Sequence, residues 1–196
     1  MERDVSPARY AAMALAPLPL LTGAVAAART APSGLAYSSA SPSIVQRQPR
    51  AGSCHATGSG LYARPDPHCT PGTVNPAVTQ ATIASTICRS GWTATVRPRV
   101  SITEPEKLAS MAAYGVRGSP SRYEYDHDVP LELGGAVNDP RNLWPQPGAS
   151  STGFYRNPKD HLENSLRRLV CNGSMSLSRA QRSIASNWVA AHYQYG

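Results

Sequence analysis

Asp126 and His127 stand side by side in Tyr123 to Pro130, a run that alternates aromatic and acidic residues. Downstream come Asn142, and then Asn157, Asp160 and His161 in a short cluster. Together these residue types suit hydrolysis of a phosphodiester bond. That reaction needs a group to deprotonate water, a divalent cation to neutralise charge on phosphorus and the leaving oxygen, and a scaffold that holds both. Neighbouring side chains on an extended strand leave opposite faces. Asp126 and His127 therefore serve one site only if the chain bends there, and Pro130 with Gly134-Gly135 can support such a bend.

The elements that must position these groups are readable around them. Tyr123 to Pro130 predicts a strand, Gly134-Gly135 a turn, and Asn142 to Trp144 a second short strand. Asn157-Pro158 has the signature of a helix start, and Leu162, Leu166, Leu169 and Val170 then recur at helical spacing. A last helix over Leu177 to His192 places Leu177, Ile184, Trp188 and Ala191 on one face. Upstream, Asn75-Pro76 predicts a helix running to Cys88. Residues 92 to 100 predict a short edge strand interrupted by Pro98. Thr103 with Glu106 predicts the capping box of a helix closed by Gly115.

Bulk properties set bounds on this machinery. A chain of 196 residues with a formal net charge of +7 fits one domain with a mild preference for polyanions. The excess lies upstream, where seven arginines between Arg29 and Arg99 face the single acid Asp66. Residues 10 to 28 are apolar and small and end in an Ala-x-Ala pattern, so residues 1–29 read as a signal peptide and the protein as secreted or placed in the cell envelope. No membrane span is expected after processing. Residues 30–67, rich in Ser, Pro and Ala, read as a disordered arm, and 68–196 as the globular domain. Cys54, Cys69, Cys88 and Cys171 predict two disulfides, with three pairings open. The spacing of Cys54-His55 and His68-Cys69 does not match that of a structural zinc site.

Asp126, His127, Pro130, Gly134, Gly135, Asn142 and Leu143 occur in an order that resembles the HNH (ββα-metal) nuclease family, over about a fifth of the chain. The wider run from Cys69 onward also resembles small exported bacterial HNH-like proteins of unsettled function. The resemblance implies an α+β fold in which a ββα-metal (His-Me finger) motif packs among further helices, here stapled by disulfides. It implies His127 as general base, Asp126 as a metal ligand, and Asn142 as the residue that orients the histidine loop. The third family position falls on Asp160, with His161 or Asn157 as alternates, because a hard cation prefers carboxylate oxygen. The implied cofactor is one divalent ion, Mg²⁺ ahead of Mn²⁺ or Zn²⁺. Two departures stand out: Asp128 occupies a position that is normally apolar, and the flanking Cys-x-x-Cys pairs are absent.

Arg141, Arg156 and Lys159 are the candidates to grip phosphates. Lys159 sits badly against the dipole of a helix start, a misfit that favours a role in function. Trp144 and Tyr123 are candidates to stack on a base. The expected activity is low-specificity endonuclease cleavage of nucleic acid, DNA ahead of RNA, with no protein partner. Taken singly, each feature has a plainer reading as a turn, a cap or a surface hydrogen bond. Two other functions therefore stand beside the nuclease. One is a catalytically silent module of the same fold that binds nucleic acid or an anionic envelope polymer, and the other is a purely structural envelope protein.

Overall fold

The computed structural model describes Met1, residues 29–148 and residues 157–196. The apolar segment 10–28, read as part of a signal peptide, and Arg156 lie outside the described residues. The order of elements is β1 (Ala36–Tyr37), β2 (Thr73–Val74), α1 (Trp92–Val96), α2 (Val100–Ala113), β3 (Tyr123–His127), β4 (Leu143–Pro147), α3 (Pro158–Cys171) and α4 (Leu177–Tyr195). The class is α+β, with two disulfides.

β3 and β4 form an antiparallel pair in register from Tyr123 opposite Pro147 to His127 opposite Leu143. The two predicted strands are therefore present, the second displaced by a few residues towards the C-terminus. α3 and α4 pack on each other, and Leu162, Leu166 and Val170 meet Leu177, Ile184 and Trp188 in the main core. These are the residues that helical spacing singles out, since positions three and four apart share one face. α4 is broken at Asn187, whose φ of −165° and ψ of 87° are not helical. Its side chain accepts from the Ala190 amide, so Asn187 recaps the second half of the helix.

Three expected elements come out differently. Asn75 to Cys88 is a series of turns with a single 3₁₀ turn at Ile83–Ser85. The hydroxyl of Thr82 accepts from the Thr79 amide and donates to the Ala77 carbonyl, and the Thr86 hydroxyl donates to the Thr82 carbonyl. Such local bonds compete with the helical ladder. Residues 92 to 100 are the short helix α1 and the start of α2, joined by extended residues, so tertiary packing overrides the strand preference of Trp, Thr and Val. α2 begins at Val100, ahead of Thr103, and Glu106 is not a cap residue. Its buried carboxylate accepts from the Gln46 amide at 2.6 Å and the Asn138 amide group at 3.0 Å. Gly115, at φ +62°, closes α2 as expected.

Residues 30–67, expected as a disordered arm, lie against the domain. β1 pairs in parallel with β2, Ala31, Cys54 and Ala63 are buried, and Glu106 holds Gln46. The segment lacks apolar periodicity because side-chain and backbone hydrogen bonds, a disulfide and scattered small residues hold it, and no amphipathic face is involved. The disulfides join Cys54 to Cys69 and Cys88 to Cys171. Both fit an oxidising compartment. Among the described residues no helix is long and apolar enough to cross a membrane.

Candidate active site

Asn142 organises the segment that follows His127. It is fully buried, its Oδ1 accepts from the Val129 amide at 2.9 Å, and its Nδ2 donates to the carbonyls of Val129 and Ala136, both at 3.0 Å. The turn beneath it needs glycines. A Cβ on Gly135 would lie 1.7 Å from the Val129 carbonyl oxygen, and Gly134 has φ +71° with Val78 against it. Asn142→Ala would strand the Val129 amide and two carbonyls in the interior. The expected cost is about 3–5 kcal/mol, read as a fall of roughly 10 °C in Tm. An unchanged Tm would show that Asn142 does not hold this loop.

His127 is held through one nitrogen. Its Nε2 lies 3.1 Å from the Val137 carbonyl oxygen. A carbonyl can only accept, so the neutral imidazole carries its proton on Nε2 and leaves Nδ1 as a bare acceptor. Burial pushes the His127 pKa down to about 4, against the pull of Asp126 and the Val137 bond, and with a smaller push from Arg97. The ring is therefore neutral at physiological pH, as a general base must be.

The strand stays in register through His127, so the expected bend does not form. Glu124 and Asp126 lie on the face towards α3, while Tyr125 and His127 leave the other face, where Tyr125 meets Gln48 and His127 meets Val137. What touches α3 is the backbone carbonyl of His127, which accepts from Lys159.

Lys159 is the centre of the α3 face. Its side chain is 0 % exposed, and its ammonium donates to Asp126 Oδ2 at 2.7 Å, to the His127 carbonyl at 2.6 Å and to Glu163 Oε1. Three protons meet three acceptors, so the group is saturated. Burial opposes its charge, but Asp126 and Glu163 outweigh that and hold its pKa above the ordinary lysine value. Burial, then the neighbouring carboxylates, push Glu124 upward. Burial also raises Glu163, against the pull of Lys159.

The chain matches no protein-family model, no curated protein and no solved structure.

The expected metal ligands lie near enough for Asp160 to feel the charges of Asp126 and His161, yet each is engaged elsewhere or exposed. Asp160 completes the capping box of α3, its Oδ2 accepting from the Asn157 amide while Asn157 Oδ1 accepts from the Asp160 amide. His161 is exposed, and Asp126 Oδ2 is taken by Lys159. Among the described residues no three His, Cys, Asp or Glu side chains form a metal-binding group.

The phosphate-gripping residues also differ from expectation. Arg141 is committed to Asp139 through its Nε at 3.0 Å and an NH group at 2.7 Å, and buried Lys159 cannot reach solvent. Trp144 is 1 % exposed and packs against Tyr114, so it offers no stacking platform.

The exposed cations next to the site are Arg97 and Arg99. They line a cleft of about 820 Å³ together with Ser38, Ser43, Ile102 and Val137, the residue whose carbonyl holds His127. Among the described residues neither arginine makes an ion pair, and no acidic or aromatic side chain lines this cleft. The Arg-x-Arg spacing was a signal for this pair, obscured by its reading as part of an edge strand. Glu124 and Glu163 were also legible, the first two residues before Asp126 on a strand and the second four after Lys159 on a helix.

Asp128 introduces a pH dependence. It is 1 % exposed, its Oδ2 has no partner, and burial pushes its pKa up to about 8. A carboxyl raised above its unfolded value contributes full stability below that value, about 3.9, and loses it as pH rises through the folded value. Asp128→Asn is therefore expected to lose less Tm than the wild type between pH 4 and 8. The gap should widen by about 1.4 kcal/mol per pH unit across that window. Parallel Tm curves would refute it. His127 has the opposite slope, because its lowered pKa costs stability as pH falls from about 6.5 towards 4.

Proposed function

We propose that this protein hydrolyses phosphodiester bonds in the backbone of nucleic acid, using His127 as the general base in an HNH-like arrangement of two strands and a helix. The observation that carries this reading is the bond from His127 Nε2 to the Val137 carbonyl, which leaves Nδ1 free to take a proton from water. The water oxygen then attacks phosphorus, the P–O bond to the leaving sugar oxygen breaks, and that oxygen takes a proton from solvent while His127 later returns its own proton to solvent. Asn142 keeps the histidine loop in place by the bonds described above. Arg97 and Arg99 supply positive charge to the phosphate oxygens from the neighbouring cleft. Among the described residues no acidic side chain lines the cleft to repel phosphate, which supports recognition of the backbone.

The test is nicking of supercoiled plasmid by purified protein, with and without chelator, alongside Arg97→Ala and Arg99→Ala. Each arginine variant is expected to lose affinity and to show a shallower dependence of binding on salt. Absence of cleavage under every condition would sink the hydrolytic reading.

The pairing of Lys159 with Asp126 and Glu163 favours a second reading, a module of the same arrangement that binds nucleic acid without turnover. It predicts salt-dependent DNA binding by a protein that never nicks.

A further inference from the structure

We propose that the ammonium of Lys159 is the resident cation of this site, occupying the place among Asp126, Glu163 and the His127 carbonyl that a divalent ion would need and excluding such an ion from it. The inference rests on the HNH-like reading proposed above, in which Asp126 and the start of α3 are where a divalent ion would be held.

The ammonium sits where a metal bridging β3 and α3 would have to sit. Lys159 reaches Asp126 Oδ2 at 2.7 Å and the His127 carbonyl oxygen at 2.6 Å, with Glu163 Oε1 as its third acceptor. Mg²⁺ would require several oxygens at about 2.0–2.1 Å, and the ammonium already fills the position among these three. Admitting it means expelling a side chain that is 0 % exposed. A lone charge placed in that interior is costly, whereas the present arrangement pairs it twice and satisfies every proton.

The placement of Lys159 in α3 points the same way. It follows Pro158 in the first turn, where a cation opposes the helix dipole. A lysine serving only the helix would turn towards solvent. This one turns inward, with Glu163 one turn along the helix and Asp126 across from it on β3. Asp160, the acid that suits the dipole, is the one spent on the cap. The segment thus assigns its lysine to the site and its nearest carboxylate to the helix end, the reverse of what a metal-binding helix start requires.

Binding of Mn²⁺ alone, followed by electron paramagnetic resonance on the full chain without nucleic acid, tests this. The wild type is expected to show no Mn²⁺ lost on changing Asp126→Asn, and its Tm should be the same in Mn²⁺ and in chelator. Lys159→Ala, which vacates the cage, is expected to bind one Mn²⁺ at least tenfold more tightly than the wild type, and Lys159→Ala with Asp126→Asn should lose it again. One Mn²⁺ on the wild type that Asp126→Asn removes would overturn the proposal. If Lys159→Ala does not fold, the wild-type comparison decides alone. Because no substrate is present, a protein that excludes Mn²⁺ yet never nicks plasmid upholds this inference and removes only the hydrolytic reading.

Discussion

Replacing His127 by alanine is expected to lower plasmid cleavage by about 10²–10⁴-fold while DNA affinity changes little. The reason lies in the two nitrogens. Nε2 is fixed by the Val137 carbonyl, and Nδ1 is the one acceptor on the ring able to take a proton from water. His127→Gln, which can keep a donor towards Val137, should be as inactive as the alanine variant but closer to the wild type in Tm. That separates lost chemistry from a loosened loop. The pH profile adds a second readout. With the folded pKa near 4, the cleavage rate should stay level from pH 8 to about 5 and fall only below that. A midpoint near 6.5, the value of an unburied imidazole, would mean that His127 as seen here is not the base. An alanine variant that cuts as fast as the wild type would dismiss it altogether.

The second large effect concerns stability. Lys159→Met keeps the length of the side chain and removes its charge, leaving Asp126, Glu163 and the His127 carbonyl around an apolar group. Removing one partner from a buried ion cluster costs about 3–5 kcal/mol. The variant should therefore unfold at clearly lower urea than the wild type at pH 7. Acidification should narrow the gap, because protonation relieves the stranded carboxylates. Adding Asp126→Asn and Glu163→Gln should recover most of the loss, since the cost arises from uncompensated charge and not from a cavity. If the single variant is as stable as the wild type at pH 7, the triad contributes nothing to the fold.

Local rules made part of this molecule legible beforehand. The strand pair, the Asn157 cap and the inward faces of α3 and α4 follow from period-two and period-3.6 patterns and from cap chemistry, which act over a few residues. The Gly134-Gly135 turn was legible from its residue types, and the close approach of Val129 and Val78 explains the need for glycine, whereas the anchoring by Asn142 was implied only by the family resemblance. The expected ligand set was not. Asp160 and Asp126 are both carboxylates in suitable places, and choosing between cap and ligand depends on where the Lys159 ammonium goes. That is a three-dimensional fact with no local signature. The order of residues 30–67 leaves no local trace for a related reason. Their anchors are long-range, Gln46 on Glu106 and Cys54 on Cys69, and such contacts leave no periodicity in a sequence.

Cys88–Cys171 fastens the last residue of α3, the same helix whose first turn carries Lys159 towards Asp126. The bond spans 83 positions, and closing a loop of that order constrains the unfolded chain by about 4–5 kcal/mol in the chain-entropy account. With free thiols the foot of this helix is unbolted, and its head, which must swallow a charge whole, has less to brace against. This bond is compatible with an oxidising compartment. On the nuclease proposal made above, a polypeptide kept among reductants would carry an unfinished centre and would be expected to cut nucleic acid less well than the oxidised protein.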